Sequence, residues 1–287
     1  MRTGTTKDVR GRVCLVTGGA GGIGWEISKA LANAGALVHI CDSSLKNLRT
    51  AAAQAPKDAC VFHQLDVAER HSLERWITDT YTAAGRVDVL VNNAAFVRWT
   101  DVTEMSATDT ERTLYVGIHA TAHAIRTVLP LMQAGGSGHI INMGSAAGTL
   151  LVPGPSAAYA ASKAAIAAYT DILRAELHRA DSPVHVTLVR PGAVAGTDFF
   201  RRHVPSSRMP RATDWLPATR PEQVAQAVLR AIEHHRPAVD IPPYLPLLYR
   251  LYALAPGLFR RFAAASGPSR RDYAHHPGDH SPAKKRA

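Results

Sequence analysis

The sequence predicts an α/β chain, a doubly wound parallel sheet in a single domain, followed by a C-terminal helical extension. Two observations carry this. Short apolar, β-branched segments alternate with helical segments of 10 to 24 residues from Arg12 to Ile241, the pattern of βαβ units with a sheet covered on both faces. The first of these strands runs straight into a glycine cluster that opens a helix, so the connection from strand to helix is tight. Parallel neighbours need crossover connections, and right-handed crossovers wind helices onto both faces of the sheet. At 287 residues and 30.8 kDa the chain is long enough for a full core, because the fraction of surface buried rises with size.

In chain order, Arg12–Thr17 (RVCLVT) is the first strand. Ile23, Ile27, Ala30, Leu31 and Ala34 then recur at helical spacing, and Gly35 ends that helix. Ala36–Cys41 (ALVHIC) is a strand, Leu45–Gln54 a helix, Cys60–Leu65 a strand, and Glu69–Ala83 a helix stopped by Gly85. Val87–Val91 (VDVLV) is a strand, Asp109–Met132 a long helix, and His139–Met143 (HIINM) a strand. Ala157–Arg179 is an alanine-rich helix, and Val184–Val189 (VHVTLV) a strand before Pro191. Pro221–His234 adds a helix and Ala238–Ile241 a last short strand. No internal repeat is visible.

Three regions follow. Residues 9–242 form the sheet domain, 243–265 an apolar and basic helical extension, and 266–287 a polar stretch expected to be disordered for want of large apolar side chains. The net charge of +10 is uneven: residues 196–287 hold 15 Lys and Arg against 7 Asp and Glu. Such a surface suits anionic lipid or nucleic acid, or is simply solvated. No aromatic-rich nucleic-acid motif accompanies it, and no nucleic-acid partner is expected. Cys14, Cys41 and Cys60 lie in strand segments and read as buried, reduced thiols, not as a disulfide or metal set. No apolar run reaches the length of a spanning helix, and residues 1–10 lack a signal-peptide core. A cytoplasmic protein is the expectation.

The chemistry begins at Thr17-Gly18-Gly19-Ala20-Gly21-Gly22-Ile23-Gly24. Side chains there would keep a pyrophosphate from the backbone N–H groups, and a helix N-terminus attracts its negative charge. The position, between the first strand and the first helix, is the context a dinucleotide site requires. Gly18, Gly22, Ile23 and Gly24 are its candidates. Asp42 ends the second strand, where a carboxylate accepts hydrogen bonds from the adenosine ribose hydroxyls and repels a 2′-phosphate. NAD is therefore favoured over NADP, although Lys46 and Arg49 lie close in sequence. A bland role for Asp42 is to cap the helix at Leu45, which Ser43 or Ser44 can do instead.

With those residues in place, the chain resembles the short-chain dehydrogenase/reductase family. Its TGxxxGxG pattern is met by Thr17, Gly18, Gly22 and Gly24. Its acidic residue after the third strand is met by Asp66-Val67, and its NNAG by Asn92-Asn93-Ala94-Ala95, with alanine for the last glycine. The serine after the fifth strand is matched by Ser145, YxxxK by Tyr159 and Lys163, and the PG after the sixth strand by Pro191-Gly192. These matches run in family order from about residue 10 to 240. The resemblance implies the Rossmann fold and hydride transfer between a nicotinamide and an alcohol or carbonyl. It also implies cofactor contacts from Asp66, Val67, Asn93, Pro191, Gly192 and Thr197, with Lys163 holding the nicotinamide ribose. Gly196 makes the spacing to Thr197 one residue longer than PGxxxT. Family analogy further implies a dimer or tetramer.

Tyr159 and Lys163 lie four apart and share a helix face. A tyrosine with an ordinary pKa of about 10 is a poor base, and a neighbouring ammonium favours its phenolate. Tyr159 is then the general acid/base and Ser145 the group that steadies the substrate oxygen. One departure stands out. Where many members carry VNxxG, with an Asn that helps hold a relay water, this chain reads Val116-Gly117-Ile118-His119-Ala120. Gly117 offers only a carbonyl and space for another water, so a catalytically weakened nucleotide-binding or interaction protein remains the rival reading.

Beyond the sixth strand, Phe199, Phe200, Met209 and Trp215 either line an apolar site or close the core. In 243–263 (PYLPLLYRLYALAPGLFRRFA), apolar residues recur near helical spacing beside Arg250, Arg260 and Arg261, and Pro256 should break the helix. This extension suits a membrane surface, a cover over a lipophilic pocket, or a second subunit. The preferred substrate is a lipophilic alcohol, ketone or aldehyde of steroid, retinoid or fatty type. His275, His276 and His280 read as a solvated tail, and no metal is expected.

Overall fold

The computed structural model describes residues 9–151, 156–197, 199, 204 and 208–272. Seven strands form one sheet in the order β3-β2-β1-β4-β5-β6-β7. They are β1 Val13–Thr17, β2 Leu37–Asp42, β3 Cys60–Gln64, β4 Val89–Asn92, β5 Gly138–Met143, β6 Val184–Pro191 and β7 Ala238–Ile241. Every pairing is parallel, with β1 set beside both β2 (Val13 on Leu37) and β4 (Cys14 on Val89). The chain winds outward from β1 to β3, then returns to β4 and winds the other way. The crevice between β1 and β4 is the switch point at which ligands bind such sheets.

Side chains alternate across each strand, and β1 shows how the two layers are built. Cys14 and Val16 face a core shared with Ile27 and Leu31 of α1 (Gly22–Asn33) and with Val224 and Val228 of a later helix. Val13 and Leu15 face the opposite core, with Leu73 and Ile77 of α3 (Arg70–Ala84). Both faces of β1 and β4 are buried throughout, which explains their unbroken apolar runs. Ser44 caps α2 (Leu45–Ala52) by accepting the Asn47 N–H at 3.2 Å. Cys14 and Cys41 are buried, Cys60 is half-buried and all three are free. Burial pushes the first two thiols far above the ordinary range.

The long helix expected at 109–132 is divided. α4 (Ala107–Leu114) passes through a π-turn at Tyr115–His119 into α5 (Ala120–Ala134), and Gly117 sits inside that turn. α6 spans Ala157–Arg179 and α7 spans Pro221–His234.

The extension forms two helices, α8 (Leu245–Leu254) and α9 (Pro256–Ala265), broken at Ala255 just before Pro256, as proline demands. Arg190 of β6 anchors it: its guanidinium forks onto Asp240 at 2.7 and 2.9 Å and lies 4.8 Å from the Tyr249 ring centroid. The first part of the stretch expected to be disordered runs back onto a short 3₁₀ segment, Arg211–Trp215. There the Arg270 N–H donates to Asp214 Oδ2 at 2.8 Å, and Arg271 donates to the Leu216 carbonyl at 2.7 Å. Residues 273–287, with His275, His276 and His280, lie outside the described residues, as does Phe200.

Candidate active site

One cavity of about 530 Å³ opens at the carboxyl ends of the central strands, a size typical of ligand sites. Its first wall is the glycine turn. Thr17 at the end of β1 fixes the turn's base: its hydroxyl accepts the N–H of Asn93 at 3.0 Å and of Ala94 at 3.1 Å. Asn93 Nδ2 donates to the carbonyls of Thr17 and Gly18 at 3.1 and 3.0 Å. Asn93 thereby clamps the turn to β4, a role the sequence left unseen.

Two glycines are required by that clamp. Gly18 has φ +59°, and a Cβ there would lie 2.9 Å from Ala94 Cα. A Cβ on Gly24 would lie 2.1 Å from the Gly18 carbonyl oxygen and 2.4 Å from Asn93 Nδ2. The helix can approach the turn only because side chains are missing. No side chain caps the N-terminus of α1, so its first N–H groups and the positive end of its dipole are left to an anion.

Asp42 forms the next wall. Its carboxylate accepts the Ser44 N–H at 2.9 Å and the Ala20 N–H at 3.3 Å. Burial raises its pKa, and those two N–H bonds act against the rise. Since Ser44 caps α2, Asp42 is not spent as a cap. Asp66 and Val67 also line the cavity. Asp66 is paired with Arg112 at 2.5 Å, and that guanidinium lies 5.3 Å from the Phe96 ring centroid. Neither Arg112 nor Phe96 carries a local sequence signal.

On the other side stand Ser145, Tyr159 and Lys163. Asn92 donates to Asn142 at 2.8 Å, and Asn142 donates to Thr170 of α6 at 2.9 Å, tying α6 to the sheet. Gly148 lets the loop after β5 rest on the α6 backbone, since a Cβ there would lie 2.6 Å from the Lys163 carbonyl carbon. Tyr159 and Lys163 share one helix face, and Lys163 Nζ lies 5.8 Å from the Tyr159 ring centroid. That ammonium is buried and donates to the Met143 carbonyl at 2.7 Å. The Ser145 hydroxyl accepts the Ala147 N–H at 3.1 Å, and Ser145 lines the same cavity as Tyr159.

Burial acts on both titrating groups. It pushes the Tyr159 phenol up to about 12, against the opposing influence of Ser145, and the Lys163 ammonium down to about 8. The raised phenol is a weaker acid than a free tyrosine, and a nearby positive charge would act in the opposite direction.

The remaining wall is apolar. Val97, Trp99 and Met209 are buried around Tyr159, whose ring centroid lies 5.6 Å from that of Trp99 and 5.7 Å from that of Phe199. Leu245 and Leu248 of α8 line the same cavity, as does Arg271. Gly192 and Thr197 line it too. Gly196, at φ +79°, absorbs the additional residue and returns Thr197 beside Gly22. Pro191 does not line the cavity but pairs with Ile241 at the end of β6. Trp215 is also outside it, with 69% of its surface exposed.

The space expected beside Gly117 is filled. A Cβ at Gly117 would lie 1.9 Å from Ser162 Oγ, so the serine hydroxyl stands where another side chain would begin. The Gly117 carbonyl accepts the Thr121 hydroxyl at 2.8 Å.

Comparison with known proteins shows the family. Residues 12–207 match the family model described as short chain dehydrogenase. An uncharacterized oxidoreductase of Staphylococcus saprophyticus is 31% identical over 228 residues, covering 79% of this chain and 92% of that protein. The sorbitol dehydrogenase of Cereibacter sphaeroides is 34% identical over 190 residues, covering 65% of this chain and 72% of that enzyme. A short chain dehydrogenase/reductase from Burkholderia phymatum, crystallised in complex with NAD, superposes with a TM-score of 0.75 at 24% identity, covering 88% of this chain and 96% of that one. At that identity the likeness speaks for the fold. The chain belongs to the short-chain dehydrogenase/reductase family and is an NAD(P)-dependent oxidoreductase.

Proposed function

We propose that the chain interconverts a lipophilic alcohol and its carbonyl, using NAD in preference to NADP, with Tyr159 as the general acid/base. The observation that carries this reading is convergence: Ser145, Tyr159 and Lys163 line the same cavity as the uncapped glycine turn and Asp42. The cradle fits a dinucleotide. Gly18, Gly22, Ile23 and Gly24 leave the N-terminus of α1 open to a pyrophosphate. Asp42 would hold the adenosine ribose hydroxyls and disfavour a 2′-phosphate. Val67 and Asp66 would hold the adenine, and Gly192 and Thr197 the nicotinamide.

When bound, the nicotinamide supplies the hydride acceptor or donor. The chain's own groups move the proton. Ser145 donates to the substrate oxygen and holds it beside the Tyr159 hydroxyl. In oxidation, Tyr159 as phenolate accepts the proton that leaves the alcohol oxygen; in reduction, its phenol returns one. Lys163 supplies the nearby positive charge that favours the phenolate. The walls of Val97, Trp99, Phe199, Met209 and Leu248 accept an apolar body and exclude water. The test is a turnover screen of NAD(H) and NADP(H) against steroid, retinoid and fatty alcohols and carbonyls. Turnover of apolar substrates with NAD(H) is expected. Turnover only of small polyols, or preference for NADP(H), would overturn the reading.

A further inference from the structure

The outer faces of α8 and α9 carry apolar side chains that stay largely exposed among the described residues. Leu247, Leu251 and Leu254 of α8 are 59%, 43% and 84% exposed, and Leu258 and Phe262 of α9 are 68% and 53% exposed. Trp215 joins them, its ring centroid 5.9 Å from that of Phe262. These are not scattered residues. Positions 247, 250, 251 and 254 share one face of α8, and 258, 261 and 262 share one face of α9. On each face an arginine sits three residues after a leucine: Arg250 after Leu247, and Arg261 after Leu258.

The charge carried by α8 and α9 themselves has one sign. Residues 241–271 contain Arg250, Arg260, Arg261, Arg270 and Arg271 and no acidic residue. The sequence beyond adds Lys284, Lys285 and Arg286 against Asp272 and Asp279. A second copy paired about a twofold axis would set Arg250 and Arg261 of one α8–α9 face against those of the other, with no carboxylate on either helix to answer them. A surface that is apolar in depth and anionic at its rim suits both features, since arginine stems lie along apolar surface while their heads reach outward. No helix among the described residues is long and apolar enough to cross a membrane, so the contact is with one leaflet.

The inner face of α8 adds a functional link. Leu245 and Leu248, one helix turn apart on the side away from Leu247 and Leu254, line the active-site cavity. Tyr252 ties the helix to the loop after β5 by donating to the Leu151 carbonyl at 3.3 Å.

We infer that α8 and α9 dock the enzyme on an anionic lipid surface, with the cavity's α8 wall held against the bilayer. Docking does not depend on the catalytic reading, and vesicle binding tests it without turnover. The full chain is sedimented with vesicles of phosphatidylcholine alone or with 30% phosphatidylglycerol, beside a Leu247→Asp/Leu254→Asp/Leu258→Asp variant. Light scattering gives the mass of each protein, and NADH titration checks the cavity. Binding to the anionic vesicles is expected to exceed binding to the neutral ones at least tenfold. The variant is expected to lose at least tenfold of it, with mass and NADH affinity unchanged. Failure of the full chain to bind anionic vesicles would overturn the inference, as would equal binding by the variant. An oligomer that the variant dissociates, without vesicle binding by either protein, would assign the patch to a second copy and overturn it as well.

Discussion

Gly117→Ala is the perturbation whose outcome follows most directly from the packing around one backbone position. In an ordinary helix the change stabilises by about 1 kcal/mol, the propensity difference between the two residues. Here the new methyl would lie 1.9 Å from Ser162 Oγ and 3.2 Å from Ser162 Cβ. Ser162 is only 2% exposed, so its hydroxyl must rotate within a packed contact, and the methyl still presses on its Cβ. Overpacking of this kind costs about 1–3 kcal/mol. The net expectation is a loss of about 1 kcal/mol, or roughly 2–4 °C in Tm for a chain of this size. Removing the hydroxyl should reverse the sign: in a Ser162→Ala background only the 3.2 Å contact remains, and Gly117→Ala should be neutral or stabilising. Thermal melts of the four proteins close a double-mutant cycle, with an expected coupling of about 1–2 kcal/mol. A coupling below about 0.5 kcal/mol, or a stabilising Gly117→Ala in the parent, would refute the claim that Ser162 occupies this space.

Two further outcomes follow from the cavity walls. Asp42→Ala should narrow the preference for NADH over NADPH by about tenfold, since a loss near 1.4 kcal/mol is one decade in affinity; fluorescence titration of both cofactors checks it, and unchanged selectivity removes Asp42 from its assigned place. Lys163→Met should alter the pH dependence of stability. The Lys163 ammonium is pushed from its ordinary 10.5 down to about 8, so below pH 8 the folded chain holds a charge that burial disfavours. As pH rises from 8 toward 10.5 the folded chain releases that proton before the unfolded chain does, and the parent gains stability. Relative to the parent, the variant should therefore lose about 2 kcal/mol between pH 7 and pH 9.5. Urea midpoints without cofactor measure this, and a pH-independent difference contradicts the buried ammonium.

Much of this molecule is legible in its sequence because the signals are local. Alternation of β-branched runs with 3.6-residue periodicity gave the strands and helices, and the four-residue spacing of Tyr159 and Lys163 placed them on one face. Gly24 was read as an opening for a phosphate; the structure adds that Gly18 and Asn93 leave its Cβ no room. What sequence could not show depends on contacts between distant segments. Trp99 and Arg112 reach the cavity from the loop and helix after β4, with no motif around them. Leu245, Leu248 and Arg271 arrive there because Arg190 and Asp240 anchor the extension and Asp214 receives the returning chain. Gly117 looked like a missing side chain, but its meaning lies in Ser162, which is 45 residues away and acts through helix packing.

The central claim is that Tyr159 moves the proton. Tyr159→Phe keeps the ring that packs on Trp99 and Phe199 and removes only the hydroxyl. With the best alcohol from the substrate screen, steady-state turnover is measured beside NADH affinity. The account predicts a fall in kcat of about 10²–10⁴-fold with NADH affinity within about twofold. Turnover retained within a few-fold of the parent would contradict it.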